Sequence, residues 1–185
     1  MRLCLTLSLC LLYFCTCGQK EKNHYIDPDK LSWDDYTGKI DSSHNYTAYT
    51  FSTIAINYKR TNGLLDSVYV WVRFINDSSY IKRDALAMLP ESRKAYLFNH
   101  EKNHYLISII YAKTLKKYID QNLKMTDSAI GNLLNSYNFF SENNQLKYDD
   151  ETNHALNTIA QMKWDSDLSN KMMQLKDEIL EEYKQ

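Results

Sequence analysis

The chain has 185 residues and a formal net charge of −1, from 22 basic and 23 acidic side chains. That length suits one domain, and a near-neutral chain without a long basic block argues against a nucleic-acid partner. Fifteen tyrosines against four glycines and two prolines point to long regular elements rather than linkers.

The first segment reads "MRLCLTLSLCLLYFCTCGQK". Arg2 precedes an apolar run from Leu3 to Phe14, then small residues, then a polar stretch. This layout predicts a secretory signal peptide over residues 1–18, leaving 19–185 as a single domain. The run is shorter than the about 20 apolar residues that span a bilayer. All four cysteines (Cys4, Cys10, Cys15, Cys17) lie in it, so a metal in the mature domain must be held by His, Asp or Glu. Cys17 is the one position for a lipid anchor, and hence for contact with a membrane. "FCTC" departs from the usual leucine-led lipobox, and simple cleavage near Gly18 is the other outcome. Both imply export, to the periplasm, the envelope or the medium.

Residues 19–30 read as a polar leader, and "LSWDDYTG" (31–38) as a turn or short first strand. "YTAYTFSTIAINYKR" (46–60) is rich in β-branched and aromatic residues and alternates in character. Asn62-Gly63 is a turn signal. In "SVYVWVRFI" (67–75), Val68, Val70, Val72 and Phe74 fall on one face. An antiparallel hairpin is expected. From Ala95 to Leu123 neither Gly nor Pro occurs, and Leu97, His100, His104, Ile107 and Tyr111 share one helical face. Thr126 and Asp127 can cap a further helix through residues 128–140. "SENNQLKYDD" (141–150) reads as a loop. A last helix is expected from Glu151 or Thr152 toward Tyr183, broken near Trp164–Asp167.

The long helix contains His100, Glu101 and His104, the pattern H-E-x-x-H. Residues four apart project from one helix face, so two imidazoles can aim at one point. Glu101 lies about 100° around the helix, near enough to take a proton from an attacking water. Zinc bound by such a pair needs a third protein ligand and an open position for catalysis. The fold class is therefore expected to be α+β: an N-terminal antiparallel hairpin packed on a helical, zincin-like core that carries this motif.

Five histidines occur. His24 falls in the leader and His44 in a polar turn. His154 is the favoured third ligand, with Glu151 the alternative. Asp150 and Glu151, placed on the same helix as His154, are candidates to orient it through hydrogen bonds. Acids at the start of a helix also suit its dipole. Tyr148 is a candidate donor to a developing oxyanion, and core packing is its other role.

Three segments resemble a bacterial family of unknown function regarded as secreted zinc-dependent proteases. The first is "LSWDDYTG" followed by Thr47, Ala48 and Thr50. The second is "HEKNHYLISIIYAKTL", with an aromatic, Tyr105, after the second histidine. The third is "YDDETNHALNTIAQMKW", which resembles Y-D-x-x-T-x-H-G then Q-x-x-W through Tyr148, Asp149, Thr152, His154, Gln161 and Trp164. Two departures are Ala155 in place of glycine and "SSY" (78–80) in place of Ser-Trp. The resemblance implies an exported zinc metallopeptidase acting on a peptide or protein. Its competitors are a non-catalytic envelope protein with a structural or vestigial zinc site, and a tyrosine-rich binding module without metal.

Overall fold

The computed structural model describes residues 26–41 and 45–180. The proposed signal peptide, Cys17, His24 and His44 lie outside the described residues. Among those described, no helix is long and apolar enough to cross a membrane.

The architecture is α+β, with small antiparallel sheets and four helices. A 3-10 turn at Trp33–Asp35 is capped by Ser32. Strand β1 (Ala48–Tyr49) pairs antiparallel with β4 (Tyr80–Ile81). Between them runs the hairpin of β2 (Ser52–Thr61) and β3 (Leu64–Phe74), paired from Ser52 opposite Phe74 to Thr61 opposite Leu64 with one register shift between Lys59 and Arg60. Its turn holds Asn62 at φ 52° and Gly63 at φ 80°, the left-handed pair that matches strand twist in a two-residue loop. The expected strand over 46–60 is thus two strands serving two sheets. Phe51 and Ser79 join them, since Ser79 Oγ accepts from Phe51 N at 2.9 Å.

Short α1 (Arg83–Ala87) leads to α2 (Glu91–Asp120), then α3 (Asp127–Thr152) and α4 (Thr158–Gln174). The 30-residue α2 is the axis of the molecule. On one side Tyr105, Ile109 and Ala112 join the inward face of β3, where Val70, Val72 and Phe74 are wholly buried. On the other, Ile107 and Ile110 pack with Tyr148, Trp164 and Leu168. A helix covered on both sides needs apolar residues beyond one stripe. Each such side chain contributes about 1.5–3 kcal/mol when buried.

The C-terminal half differs from expectation. Residues 141–150 are not a loop but continue α3 to Thr152. Asparagine disfavours helices by competing for backbone groups. Here Asn138 and Asn143 donate back to the carbonyls of Leu134 and Phe139, at 3.1 and 2.8 Å. The last helix begins at Thr158, capped by Asn157, and runs unbroken through Trp164–Asp167. The break falls instead at 153–157, where Asn153, His154 and Ala155 have φ of 48°, 49° and 65°.

Candidate metal centre

The helical rise of α2 stacks His100 and His104 on one face, with their Nε2 atoms 3.3 Å apart. Both residues are buried. From the last turn of α3, Asp149 brings Oδ1 to 3.1 Å from His100 Nε2 and 3.0 Å from His104 Nε2. This group can hold a metal ion. Its edges of 3.0–3.3 Å suit three corners of a tetrahedron: ligands about 2.0–2.1 Å from a zinc would lie about 3.3–3.4 Å apart.

Gln161 holds the outer edge of His100. Gln161 Nε2 donates to Tyr96 O at 3.3 Å, which turns Oε1 toward His100 Nδ1, 3.2 Å away. His100 Nδ1 therefore carries a proton, and Nε2 faces the group. A hydrogen bond of this kind fixes the tautomer of a ligating imidazole. Gln145 donates to Ser108 Oγ and Ser141 Oγ at 3.2 and 3.3 Å, and its amide favours the protonated form of His104. Tyr148 stacks on His100, with centroids 4.6 Å apart and planes at 22°. Its hydroxyl accepts from Asn103 Nδ2 at 3.0 Å, deep in the interior.

Electrostatics bind Asp149 to the histidines. Burial pushes its carboxyl up, but the hydrogen bonds and charges of His100 and His104 outweigh burial and hold it well below the usual carboxylate range. Burial likewise lowers His104, and Asp149, with Glu101 and Gln145, raises it above an ordinary histidine. The place of Asp149 in the chain is itself costly. Asp149, Asp150 and Glu151 end α3, where the dipole is negative and no basic residue lies in the last turn. Acids there cost about 0.3–1 kcal/mol each at the surface, the reverse of the helix-start position expected for them. Asp149 is offset by imidazoles. Glu151 accepts from Trp164 Nε1 at 2.7 Å and lies 3.7 Å from Lys147 Nζ. Asp150 is exposed.

His154 stands off the helix. Three consecutive left-handed residues swing it back until Nδ1 lies 3.3 Å from Asp149 Oδ1. It does not share a helix face with Asp150 and Glu151, and it joins the group through Asp149 alone. Left-handed non-glycine residues cost of order 1–3 kcal/mol each and persist where the surroundings over-determine them. Here Asn157 N donates to Thr152 O at 2.7 Å, Arg93 Nη1 to Ala155 O at 2.9 Å, and Tyr46 packs on the His154 ring with centroids 4.4 Å apart.

Glu101 is buried beside the group. Thr50 Oγ1 donates to its Oε2 at 2.8 Å, and Tyr36 Oη lies 2.9 Å from Thr50 Oγ1. Thr50 has one proton to give, so Tyr36 donates to Thr50. Burial and the Glu101 charge raise the Tyr36 phenol well above its ordinary value, keeping it a donor.

Two cavities open on the group. One of about 380 Å3 is lined by Tyr46, Tyr49, Arg93, Leu97 and Leu156, with His100, Glu101, His104 and Asp149. The other, about 310 Å3, is lined by Phe51, Glu142, Gln145 and Leu146. Tyr49, His104 and Asp149 line both.

Of the residues expected from sequence, His100, Glu101 and His104 come together, and His154 reaches them through Asp149. Glu151 and Asp150 face elsewhere, and Tyr148 supports His100 from behind. Asp149 as a donor, Thr50 and Tyr36 behind Glu101, and the two glutamines had no assigned role. Against family models, characterised proteins and solved structures, the chain matches none.

Proposed function

We propose that the protein is an exported zinc-dependent metallopeptidase that cleaves a peptide or protein substrate, with a zincin-like arrangement around α2. The observation that carries the reading is the pairing of a His100–His104–Asp149 donor set with the buried Glu101 carboxylate, both opening on the same cavity. A donor set of imidazole and carboxylate without thiolate suits zinc. The segment resemblance and the signal-like N-terminus point the same way.

In this reading His100 and His104 hold the metal through Nε2 and Asp149 is the third protein ligand. His154 positions Asp149. Zinc, when bound, acidifies water and polarises a carbonyl. Glu101 takes the proton of the attacking water and returns it to the leaving amine. Thr50 and Tyr36 fix the Glu101 carboxylate against the metal group. The two cavities that share Tyr49, His104 and Asp149 give room for an extended chain at the centre.

The second reading is a non-catalytic envelope protein with a structural zinc site. It is favoured by one observation: His154 Nδ1 lies 3.3 Å from Asp149 Oδ1, so a small shift supplies a fourth ligand and closes the site. Glu101→Gln separates the two. The variant should retain about one zinc per chain and lose peptide turnover by about 10²–10⁴-fold. Zinc content and turnover are measured on the same sample. Full turnover in the variant rules out the role of Glu101, and a wild-type protein without zinc after reconstitution removes the reading.

A further inference from the structure

Resting on the peptidase reading, we propose that Tyr49 is a catalytic residue: its phenol donates a hydrogen bond to the oxyanion formed when a substrate carbonyl is attacked at the metal group. Four observations carry this. First, Tyr49, with His104 and Asp149, lines both cavities. Residue 49 therefore borders both cavities where they meet His104 and Asp149. Second, Tyr49 is 41% exposed and its hydroxyl makes no hydrogen bond to the described residues. The other phenols near the centre are engaged: Tyr148 is wholly buried and bonded by Asn103, Tyr36 is bonded to Thr50, and Tyr46 packs on the His154 ring.

Third, the Tyr49 ring is held rather than free. It stacks on Tyr80 with centroids 5.8 Å apart and planes at 28°, and the two residues are paired across β1 and β4. A donor fixed before the reaction costs no reorganisation during it. Fourth, the phenol keeps its proton: burial, then the Glu142, Asp149 and Glu101 carboxylates, raise it above the ordinary tyrosine value.

The step balances in atoms and charge. Water oxygen bonds to the carbonyl carbon while its proton passes to Glu101. The carbonyl π pair moves to oxygen, which accepts the Tyr49 O–H bond without taking its proton. On collapse the C–N bond breaks, and the proton on Glu101 goes to the leaving nitrogen.

The test is Tyr49→Phe in the mature chain loaded with zinc. Zinc content and thermal midpoint should match wild type. Affinity for inorganic phosphate, a tetrahedral oxyanion, should fall roughly tenfold by calorimetry, as expected for one hydrogen bond to a charged group. On labelled casein, kcat should fall about 10²–10³-fold, with KM nearly unchanged. Phosphate affinity or kcat unaltered by the substitution overturns the proposal, as does wild-type protein that binds no phosphate. A wild-type protein that binds no zinc sinks the peptidase reading as well. Zinc binding, an inactive Glu101→Gln and a fully active Tyr49→Phe refute the role of Tyr49 alone.

Discussion

Thr50 donates a 2.8 Å hydrogen bond to Glu101 across 51 positions of sequence, tying the loop between β1 and β2 to the middle of α2. Glu101 is 4% exposed, and a buried carboxylate without donors is expensive. Thr50→Val keeps the shape and removes the hydroxyl. It should destabilise the fold by about 1–3 kcal/mol, read from denaturant midpoints. Tyr36→Phe should cost less, because Thr50 still donates to the carboxylate. Equal midpoints for Thr50→Val and wild type would show that Glu101 finds another partner.

Metal affinity should rank the candidate ligands. Asp149 Oδ1 lies within 3.1 Å of both His100 and His104 Nε2, whereas Glu151 is bound to Trp164. Asp149→Ala should weaken zinc binding most, His154→Ala less, and Glu151→Ala least, as measured by competition with a chromophoric chelator. If His154→Ala has the larger effect, His154 is the ligand and Asp149 the group that orients it.

Gln161 tests the outer layer. Its Oε1 lies 3.2 Å from His100 Nδ1, and no other described side chain is bonded to that nitrogen. Gln161→Leu preserves volume but leaves the imidazole free to choose its tautomer. Losses of 10–100-fold in metal affinity are typical when such a partner is removed. The same chelator competition measures it, and an unchanged affinity would leave Gln161 a packing residue only.

The hairpin and α2 were legible because their signals are local. Val68, Val70, Val72 and Phe74 alternate, Asn62-Gly63 can take positive φ, and α2 is free of Gly and Pro along its length. The pair His100 and His104 was legible for the same reason, since four residues make about one helical turn. Asp149 was not. Ser141, Asn143 and Asn144 imitate a loop, and the acids imitate a helix start; only the i−4 bonds of Asn138 and Asn143 and the packing of Tyr148 reveal the opposite. The left-handed turn at 153–155 had no local signal either, because alanine at position 155 hides a φ of 65°. Thr50 and Tyr36 reach Glu101 only through tertiary packing, which no spacing along the chain encodes.

Gly38 offers a test of how that packing supports the site. A Cβ there would meet Ser79 O at 2.8 Å and Asp77 O at 2.9 Å. Both are backbone atoms that cannot swing aside, and Gly38 N also donates to Ser79 O at 2.8 Å. Gly38→Ala should cost about 1–3 kcal/mol through forced backbone shifts. The displaced segment carries Tyr36, so peptide turnover should fall with stability while zinc content stays constant. A variant as stable as wild type would mean that residues 36–38 are held less tightly than this geometry requires.

Zinc should also act as a folding ligand. The last turn of α3 gathers three acids and holds no basic residue, and the turn beyond it holds three left-handed residues. Both features are unfavourable on their own, and both surround Asp149. A cation bound to Asp149, His100 and His104 offsets the acids at the helix end. Because the unfolded chain does not bring these residues together, binding stabilises the native state alone, by about 2.7 kcal/mol at a free concentration 100 times Kd. For a chain of this size that corresponds to roughly 5–11 °C in Tm. Wild-type protein stripped by a chelator should therefore melt lower and recover on adding zinc. His100→Ala and His104→Ala should melt at the same temperature with and without the metal. Hydrogen exchange at residues 153–157 should slow on zinc addition more than at the hairpin turn of Asn62 and Gly63, which is remote in function and serves as the internal control. Equal protection at both places, or a Tm indifferent to zinc in the wild type, would separate the strained turn from metal binding.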